Sequence, residues 1–303
     1  MILGNARVSR ERLIGRIWKE RWAYLFLAPF YAPFILFILV PTASGLILSL
    51  YEAGLTGQRF IGFENFVRLL NDEAFVHATI NTFLLVVGIV PAVMVVTLAA
   101  AVMIFPLPRV WQSFFRLAYY IPIVASGIIL SMIWLWIYDP NFGLANHLLS
   151  VLGMKPVLWL DNTNTALPSV MLVLGTMMLG QPIILFLAGL GNIPPELYDA
   201  VKVDGANDWT AFRFVTLPLL KPVMLFVLVT QTFTAFQVWV IVLIMTRGGP
   251  AYATETIAYR VYLAAFQFYR FGYASAMAVV MLVIAGTIGL IQLRLMGEGG
   301  SNQ

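Results

Sequence analysis

A cluster of charged side chains, from Glu196 to Pro222, interrupts an otherwise apolar part of this sequence. The segment reads ELYDAVKVDGANDWTAFRFVTLPLLKP and holds four acidic and three basic residues, whereas the stretches on either side carry no charge over more than twenty residues. Charged and apolar residues at helical spacing suit recognition, because one face of a short helix can then bind another protein. The segment therefore indicates a docking element rather than a reaction centre.

Residues that could catalyse a reaction or bind a metal are scarce in this sequence. His77 and His147 are the only histidines, each stands alone at or beyond the edge of an apolar stretch, and cysteine does not occur. The phosphate-binding pattern G-x-x-x-x-G-K-[ST] is also absent. We predict no catalytic residue, no metal site and no cofactor bound by this chain. It is then not an enzyme, and any energy source that it uses lies on another chain.

The composition predicts an all-α membrane protein with six transmembrane helices. Hydrophobic residues make up 61% of the 303 residues and charged residues only 11%, against about a quarter charged in soluble domains. A spanning helix needs about 20 mostly apolar residues, and its backbone must satisfy its own hydrogen bonds in lipid. Six charge-free intervals are long enough, namely 22–51, 74–108, 117–138, 162–195, 222–246 and 271–293. The net charge of +4 is spread along such a chain, so the predicted environment is membrane lipid and not nucleic acid.

Lysine and arginine predict the orientation. If the N-terminus is cytoplasmic, twelve of them lie inside and six outside, and an excess of these residues marks the cytoplasmic side. Both termini are therefore predicted to be cytoplasmic. The domains are then a basic N-terminal segment (1–22), a first transmembrane helix with its external loop (23–73), a transmembrane core (74–296) containing the polar loop 191–222, and a cytoplasmic tail (297–303). The external loop is predicted to hold a short surface helix within GFENFVRLLNDEAF.

The polar segment has the signals of two short helices joined by a turn. Pro195 suits the first turn of a helix, Gly205 allows a sharp reversal, and Asn207 or Asp208 can cap a second helix. We favour docking onto a protein. The alternative is a loop lying on lipid headgroups, which four acidic residues disfavour beside an anionic inner leaflet.

The same stretch, YDAVKVDGANDWTAFRFVTLPLLKP, resembles the Glu-Ala-Ala loop of ABC-importer permeases. Asp199, Ala200 and Val201 stand where that family has Glu-Ala-Ala, and Gly205 stands at its glycine. The resemblance implies a coupling helix that inserts into a cleft of an ATPase subunit. The coupling residues that it implies are Glu196, Asp199, Ala200, Val201, Asp204, Gly205, Ala206, Trp209 and Phe212.

Two further stretches resemble the carbohydrate-uptake branch of this family. FRLAYYIPIVASGIILSMIWLWIYDPNFGLANHLL is similar to its third span and following loop, and TRGGPAYATETIAYRVYLAAFQFYRFGYASAMAVV to the fifth-to-sixth span region of the larger permease of maltose-type systems. The resemblance implies the type I ABC-importer permease fold in the cytoplasmic (inner) membrane of a bacterium or archaeon. It also implies three partners: a second, non-identical permease, a dimer of ATPase subunits that holds ATP and Mg, and an extracytoplasmic sugar-binding protein.

A sugar site requires polar hydrogen-bonding groups beside aromatic faces, because the C–H surface of a sugar packs on rings while its hydroxyl groups need partners. FQVWVIVLIMTRGGP aligns with the sugar-contacting fifth span of the family, which favours Gln237 and its neighbours. The predicted substrate-binding residues are Gln237, Trp239, Tyr259, Tyr262, Asn81, Gln181 and Gln231. Each of them could instead make a helix–helix hydrogen bond or anchor the chain at the membrane interface.

Other functions stay open at this stage. The expected substrate is a neutral oligosaccharide or polyol glycoside. A glycerol-phosphate-type ester is a rival substrate, although no basic residue is found in the pathway to receive it. An ion-coupled secondary carrier would need an ionisable residue within a span, and a membrane enzyme would need an acid/base pair; neither is found. The external Arg247, Arg260 and Arg270 are interpreted as solvated loop charges, with contact to the binding protein as the alternative.

Overall fold

The computed structural model describes residues 21–297. The predicted basic segment 1–22 and the predicted tail 297–303 lie almost entirely outside these residues. The described chain is mostly helical, with a single pair of short strands near its beginning. This agrees with the predicted all-α class, apart from the strands.

The helices follow one another as α1 (Arg21–Phe34), α2 (Val40–Leu48), α3 (Glu64–Leu70), α4 (Glu73–Ile104), α5 (Arg109–Val124), α6 (Gly127–Ile137), α7 (Leu144–Val151), α8 (Thr163–Met178), α9 (Gly180–Gly191), α10 (Pro195–Val203), α11 (Asp208–Ala211), α12 (Leu217–Phe236), α13 (Val240–Met245), α14 (Ile257–Tyr262) and α15 (Phe271–Gly297). The strands β1 (Tyr51–Gly54) and β2 (Gly57–Phe60) lie between α2 and α3. Short π-helical turns occupy Ile35–Leu39, Phe212–Thr216 and Leu263–Gln267.

Four helical stretches are long and apolar enough to cross a membrane: Tyr24–Leu48, Glu73–Ile104, Asp208–Met245 and Phe271–Leu295. Two bent pairs have the same character when taken together, α5 with α6 at an angle of 98° and α8 with α9 at 44°. The predicted count of six is reached if each bent pair is one span.

The first bend has a local cause in the sequence, and the second lies at a close contact between two helices. Between α5 and α6 the backbone becomes extended at Ala125, and the Ser126 hydroxyl then accepts a hydrogen bond from Ile128 N to begin the next helix. At the second bend, a Cβ on Gly180 would overlap the backbone oxygen of Tyr119. Only glycine lets the start of α9 lie so close to the backbone of α5.

The loop predicted to be external contains a β-hairpin that the sequence did not predict. Strands β1 and β2 pair antiparallel, with Tyr51 opposite Phe60, and α3 follows at the predicted surface helix. The side chain of Asn65 on α3 donates to the carbonyl oxygens of Ser49 and Tyr51 (both 2.9 Å). These bonds fix the hairpin to the helix that follows it.

The buried side chains form three clusters along the bundle. The central cluster joins α4, α8 and the α12–α13 region around Phe236. A second cluster around Phe186 adjoins the α10–α11 loop through Tyr198. A third around Leu69 adjoins the hairpin end. The α10–α11 loop and the hairpin segment therefore pack against two different clusters, and neither of these is the central cluster.

Candidate functional site

The helical path from α12 to α13 is broken between Gln237 and Trp239. Trp239 has φ −140° and ψ −35°, which is not helical, and α13 begins only at the next residue. The carbonyl oxygen of Val238, inside the break, accepts a hydrogen bond from Thr256 Oγ1 at 2.6 Å. A side chain from another segment therefore satisfies a backbone group that the helix releases, as buried backbone requires.

Two cavities adjoin this break. One of about 580 Å³ is lined by Gln237, Trp239, Tyr262 and Phe266 among others. The other, of about 390 Å³, shares Gln237 and Trp239 and extends toward Gly127 on α6. In the described part of the chain, no charged side chain lines either cavity.

Aromatic rings form one wall of the larger cavity. The rings of Trp239 and Tyr262 are stacked, with centroids 4.8 Å apart and planes 22° apart. Phe266 continues the wall, 5.6 Å from Tyr262, and Tyr259 stacks on Tyr262 from 6.4 Å. With the exposed amide of Gln237 nearby, the wall offers apolar ring surface and an amide that can donate and accept. This is the chemistry of a site for an uncharged, hydroxyl-rich ligand.

The other predicted substrate residues lie elsewhere. Tyr259 is 3% exposed, and Gln231 is 4% exposed within α12. Gln181 is exposed near the start of α9 and is not among the residues that line the two cavities. Asn81 is buried, and its amide donates to the carbonyl oxygens of Tyr252 (2.7 Å) and Glu255 (3.1 Å). Of the seven residues, the structure brings only Gln237, Trp239 and Tyr262 together at a cavity.

The polar loop 191–222 has the local structure that its sequence predicts. Two short helices, α10 and α11, flank Gly205, which has φ +75°. Asn207 caps α11, since its Oδ1 accepts from Thr210 N at 2.9 Å. Gly205 occupies the position after the α10 C-cap that favours glycine because positive φ costs it little.

In the described part of the chain, the surface of this loop is exposed to solvent. Val203 is 87% and Trp209 66% exposed, and the ring of Trp209 lies 5.5 Å from that of Phe212. Tyr198 and Thr216 share a hydrogen bond of 3.0 Å, which fastens α10 to the segment leading into α12. The loop therefore presents apolar and acidic side chains on a framework attached to the bundle.

Arg260 is not the solvated loop charge that the sequence suggested. Its side chain is 17% exposed, and it contacts Asp72 Oδ2 at 3.4 Å and Glu255 Oε2 at 3.5 Å. Asp72 also caps α4 and accepts a hydrogen bond of 2.7 Å from the hydroxyl of Tyr273. The interpretation was wrong because the contact with Asp72 joins residues 188 positions apart, which no local pattern reveals.

The two carboxyl groups of this cluster have opposite pKa shifts. Burial raises the pKa of Glu255 above its usual value. The positive charge of Arg260 lowers this pKa in part, whereas the negative charge of Asp72 raises it further. Burial also raises the pKa of Asp72, but the hydrogen bonds from Tyr273 and two backbone N–H groups, with the charge of Arg260, bring it below its usual value.

The sequence profile of the family "Binding-protein-dependent transport system inner membrane component" matches residues 92–297. This protein belongs to that family. The family predicted from the resemblance is thereby confirmed, and the homologues are transport permeases rather than enzymes. The match includes the helix break, both cavities and the polar loop.

Several curated relatives match along almost the whole chain. The probable ABC transporter permease YurN of Bacillus subtilis is 36% identical over 282 residues, covering 91% of this chain and 96% of the relative. The lactose transport system permease LacF of Rhizobium radiobacter is 32% identical, covering 95% and 97%. The sulfoquinovosyl glycerol transport system permease SmoG of Agrobacterium fabrum is 33% identical, covering 90% and 89%.

A solved structure shares the fold. A chain of a bacterial ABC transporter that imports the acidic polysaccharide alginate superimposes with a TM-score of 0.81 at 24% identity, covering 95% of this chain and 99% of that one. A second structure of an alginate transporter, in complex with an alginate pentasaccharide-bound periplasmic protein, gives a TM-score of 0.82. The fold of this protein is therefore that of an ABC-importer permease.

Proposed function

We propose that this protein is the permease subunit of an ATP-driven, binding-protein-dependent importer and forms half of the translocation pathway for a neutral sugar. The observation that carries the proposal is the cavity at the α12–α13 break, which combines the amide of Gln237 with the stacked rings of Trp239 and Tyr262. A membrane-spanning helix that is interrupted beside a cavity is a recurrent place for transported ligands.

The chemistry of the lining favours a neutral sugar over a glycerol-phosphate ester. Burying a phosphate without a cationic partner is costly, and no charged side chain of the described residues lines the cavity. An uncharged sugar can use the amide and the rings together. The names of relatives that transport lactose, diacetylchitobiose and arabinooligosaccharides support a saccharide of two or more units.

The α10–α11 loop is the part that we assign to energy coupling. Glu196, Asp199, Asp204 and Asp208 are exposed there beside Trp209, which suits insertion into a cleft of an ATPase subunit. In this scheme ATP and Mg are held by the ATPase dimer. ATP-driven closure of that dimer moves the loop, and the two permeases then open the cavity alternately to either side of the membrane.

Three partners complete the proposed complex: a second, non-identical permease, the ATPase dimer and an extracytoplasmic sugar-binding protein. Both termini would lie in the cytoplasm, on the same side as the α10–α11 loop, and six spans would cross the inner membrane. The periplasmic protein bound in the alginate transporter structure supports the third partner.

The test is uptake in the native strain with the gene for this chain deleted and then restored. Radiolabelled lactose, diacetylchitobiose, arabinotriose and glycerol 3-phosphate serve as probes, each with and without an ionophore. We expect loss of uptake of at least one of the neutral saccharides on deletion, and uptake that persists with the ionophore. Loss of glycerol 3-phosphate uptake alone, or collapse with the ionophore, would overturn the proposal.

Partner identity is tested separately by purifying the chain in a mild detergent. Mass spectrometry should recover a second permease and an ATPase with a phosphate-binding loop. Recovery of the chain alone, under conditions that keep a known transporter complex intact, would contradict the proposed assembly.

A further inference from the structure

The short helix α14 supplies three residues of the wall of the larger cavity. Its residues Ala258, Val261 and Tyr262 line that cavity, and Tyr262 stacks on Trp239 from across the α12–α13 break. Together with the π-helical turn that follows it, this helix runs only from Ile257 to Gln267, and isolated helices of this length are unstable in water. Its place must come from contacts with the rest of the bundle.

The first such contact is made by Thr256, directly before α14. Its hydroxyl accepts a hydrogen bond from Tyr259 N at 3.2 Å, which caps the helix, and donates one to Val238 O at 2.6 Å. Thr256 is 1% exposed, so both bonds are shielded from water. One side chain thereby ties α14 to the backbone between Gln237 and Trp239, which are the residues that face it across the cavity.

The second contact is made by Arg260, within α14. Its guanidinium group lies between Asp72 at the start of α4 and Glu255, and Asp72 is held in turn by Tyr273 of α15. Glu255 is itself fixed through its backbone, because its carbonyl oxygen accepts from Asn81 Nδ2. Arg260 therefore ties α14 to the two long helices that flank it.

The Arg260 contacts are incompletely satisfied in this conformation. Glu255 Oε2 and Arg260 Nε are buried and make no hydrogen bond with a described residue, and both ion pairs are longer than the usual 2.7–2.9 Å of a charge-assisted bond. Unpartnered polar atoms of this kind are uncommon in a rigid core. The position of Arg260 therefore depends on its two carboxylate contacts.

We propose that Thr256 and Arg260 are positioning residues. Thr256 holds α14 against the α12–α13 break, and Arg260 holds it against the ends of α4 and α15 that carry Asp72 and Tyr273. Together these contacts set the width of the cavity. This inference rests on the proposed function, since it concerns the same cavity. It goes beyond that function by identifying residues that do not line the cavity but determine its shape.

Cysteine labelling tests the positioning directly, because the chain has no cysteine of its own. Val261→Cys places a single thiol in the cavity wall, and its rate of reaction with a water-soluble methanethiosulfonate is measured in native membrane vesicles that hold the whole complex. Thr256→Val keeps the shape of the side chain but removes both bonds. We expect a rate at least about threefold higher, since loss of even one hydrogen bond shifts an equilibrium about three- to tenfold. Arg260→Gln should act in the same direction.

The controls separate positioning from general damage to the fold. Thr256→Ser keeps the hydroxyl and should label as the parent does. Arg59→Gln removes an arginine of the hairpin whose side chain is 74% exposed, and it should also leave the rate unchanged. Unchanged labelling in both Thr256→Val and Arg260→Gln would overturn the proposal, as would equal effects of the serine and valine variants.

Transport adds an independent measurement. The assay is uptake of whichever saccharide of the panel the strain imports. Arg260→Gln and Tyr262→Ala should each lower the uptake rate. The double variant should lower it no further than Tyr262→Ala alone, because Arg260 acts through the position of the Tyr262 ring. Additive losses would show that Arg260 acts elsewhere, and would overturn its role here. If Tyr262→Ala alone leaves uptake unchanged, the substrate site is wrong, and the labelling rates still decide the positioning.

Discussion

At the scale of residues, three side chains distinguish the cavity from the rest of the apolar bundle. Gln237 is exposed at the end of α12, and Trp239 and Tyr262 stack on each other nearby. Other amides of the chain have different surroundings, since Asn81 is committed to backbone oxygens and Gln231 is buried within α12. The type of residue is therefore a weaker guide than whether its polar atoms are available to a ligand.

Gln237→Ala should weaken sugar transport without affecting insertion into the membrane. Loss of a hydrogen bond to an uncharged ligand costs about 0.5–1.5 kcal/mol, which corresponds to about a three- to tenfold rise in the KM for uptake. Concentration-dependent uptake of the labelled saccharide in vesicles measures it. Gln181→Ala is the matched control, because this exposed glutamine is not among the residues lining the cavity, and an equal effect of both variants would contradict the site.

Glu255 predicts a specific pH dependence of stability. Its pKa is raised in the folded protein above the ordinary value of 4.5, so the folded state binds this proton more tightly than the unfolded state. Stability contributed by the protonated form is therefore lost as the pH rises from 4.5 through the folded pKa. Glu255→Gln should flatten the decline of the unfolding midpoint in this range, measured by thermal unfolding of the detergent-solubilised protein.

Glu52→Gln is the control for that measurement. The hydrogen bond and charge of Arg68 hold the pKa of Glu52 below its usual value, against the opposing effect of burial. The stability that ionised Glu52 contributes is present above pH 4.5 and is lost as the pH falls below that value. In Glu52→Gln, the slope of the unfolding midpoint against pH should therefore stay as in the parent above pH 4.5. Equal slopes for the parent and Glu255→Gln would contradict the buried position of Glu255.

At the scale of elements, the α10–α11 loop depends on one backbone conformation. Gly205 has φ +75°, and its N–H donates to Lys202 O at 3.0 Å. No other atom lies within 4 Å of where a Cβ would stand, so the backbone and not the available space restricts this position. The turn sets the angle between the two helices, and thereby the surface offered to the ATPase in our proposal.

Gly205→Pro should abolish transport while leaving the amount of protein in the membrane unchanged. Proline fixes φ near −65° and has no N–H, so the turn and its hydrogen bond are both lost. Sugar uptake and sugar-stimulated ATP hydrolysis by the purified complex are the measurements. Gly205→Asn is the control, because asparagine tolerates positive φ and should retain much of the activity; normal uptake by the proline variant would refute the coupling role.

At the scale of the whole molecule, the hairpin joins the early part of the chain to its last helix. The backbone of β1 lies on α15 so closely that a Cβ on Gly272 would overlap Tyr51 O. The same end holds the Asp72–Arg260–Tyr273 contacts. This end of the bundle is thus assembled from segments about 200 residues apart in the sequence.

Gly272→Ala should destabilise the protein by about 1–3 kcal/mol, the usual cost of overpacking. Gly286→Ala is a matched control on the same helix, since nothing lies within 4 Å of its Cβ position, and it should be neutral or stabilising by up to about 1 kcal/mol. Unfolding midpoints in detergent compare the two. Similar midpoints would show that the hairpin does not rest on α15.

The sequence by itself predicted the elements whose signals are local. Charge-free intervals located the apolar helices, because the length of a span is fixed by the thickness of the membrane. Pro195, Gly205 and Asn207 predicted the paired short helices of the polar loop, because capping and turn formation involve neighbouring residues. The β-hairpin was missed, since Tyr51–Gly54 and Gly57–Phe60 are short and lack a regular alternation of apolar and polar residues.

The tertiary structure decided which polar residues are free to act. The side chain of Gln237 is exposed, whereas that of Asn81 is hydrogen-bonded to the backbone. The ring of Tyr262 stacks on that of Trp239. Arg260 lies in a largely buried cluster of charged residues and not in a solvated loop. These outcomes depend on contacts between residues far apart in the sequence, up to 188 positions for Arg260 and Asp72. Local patterns determine where helices begin and end, whereas availability to a ligand depends on what the packed neighbours leave unbonded.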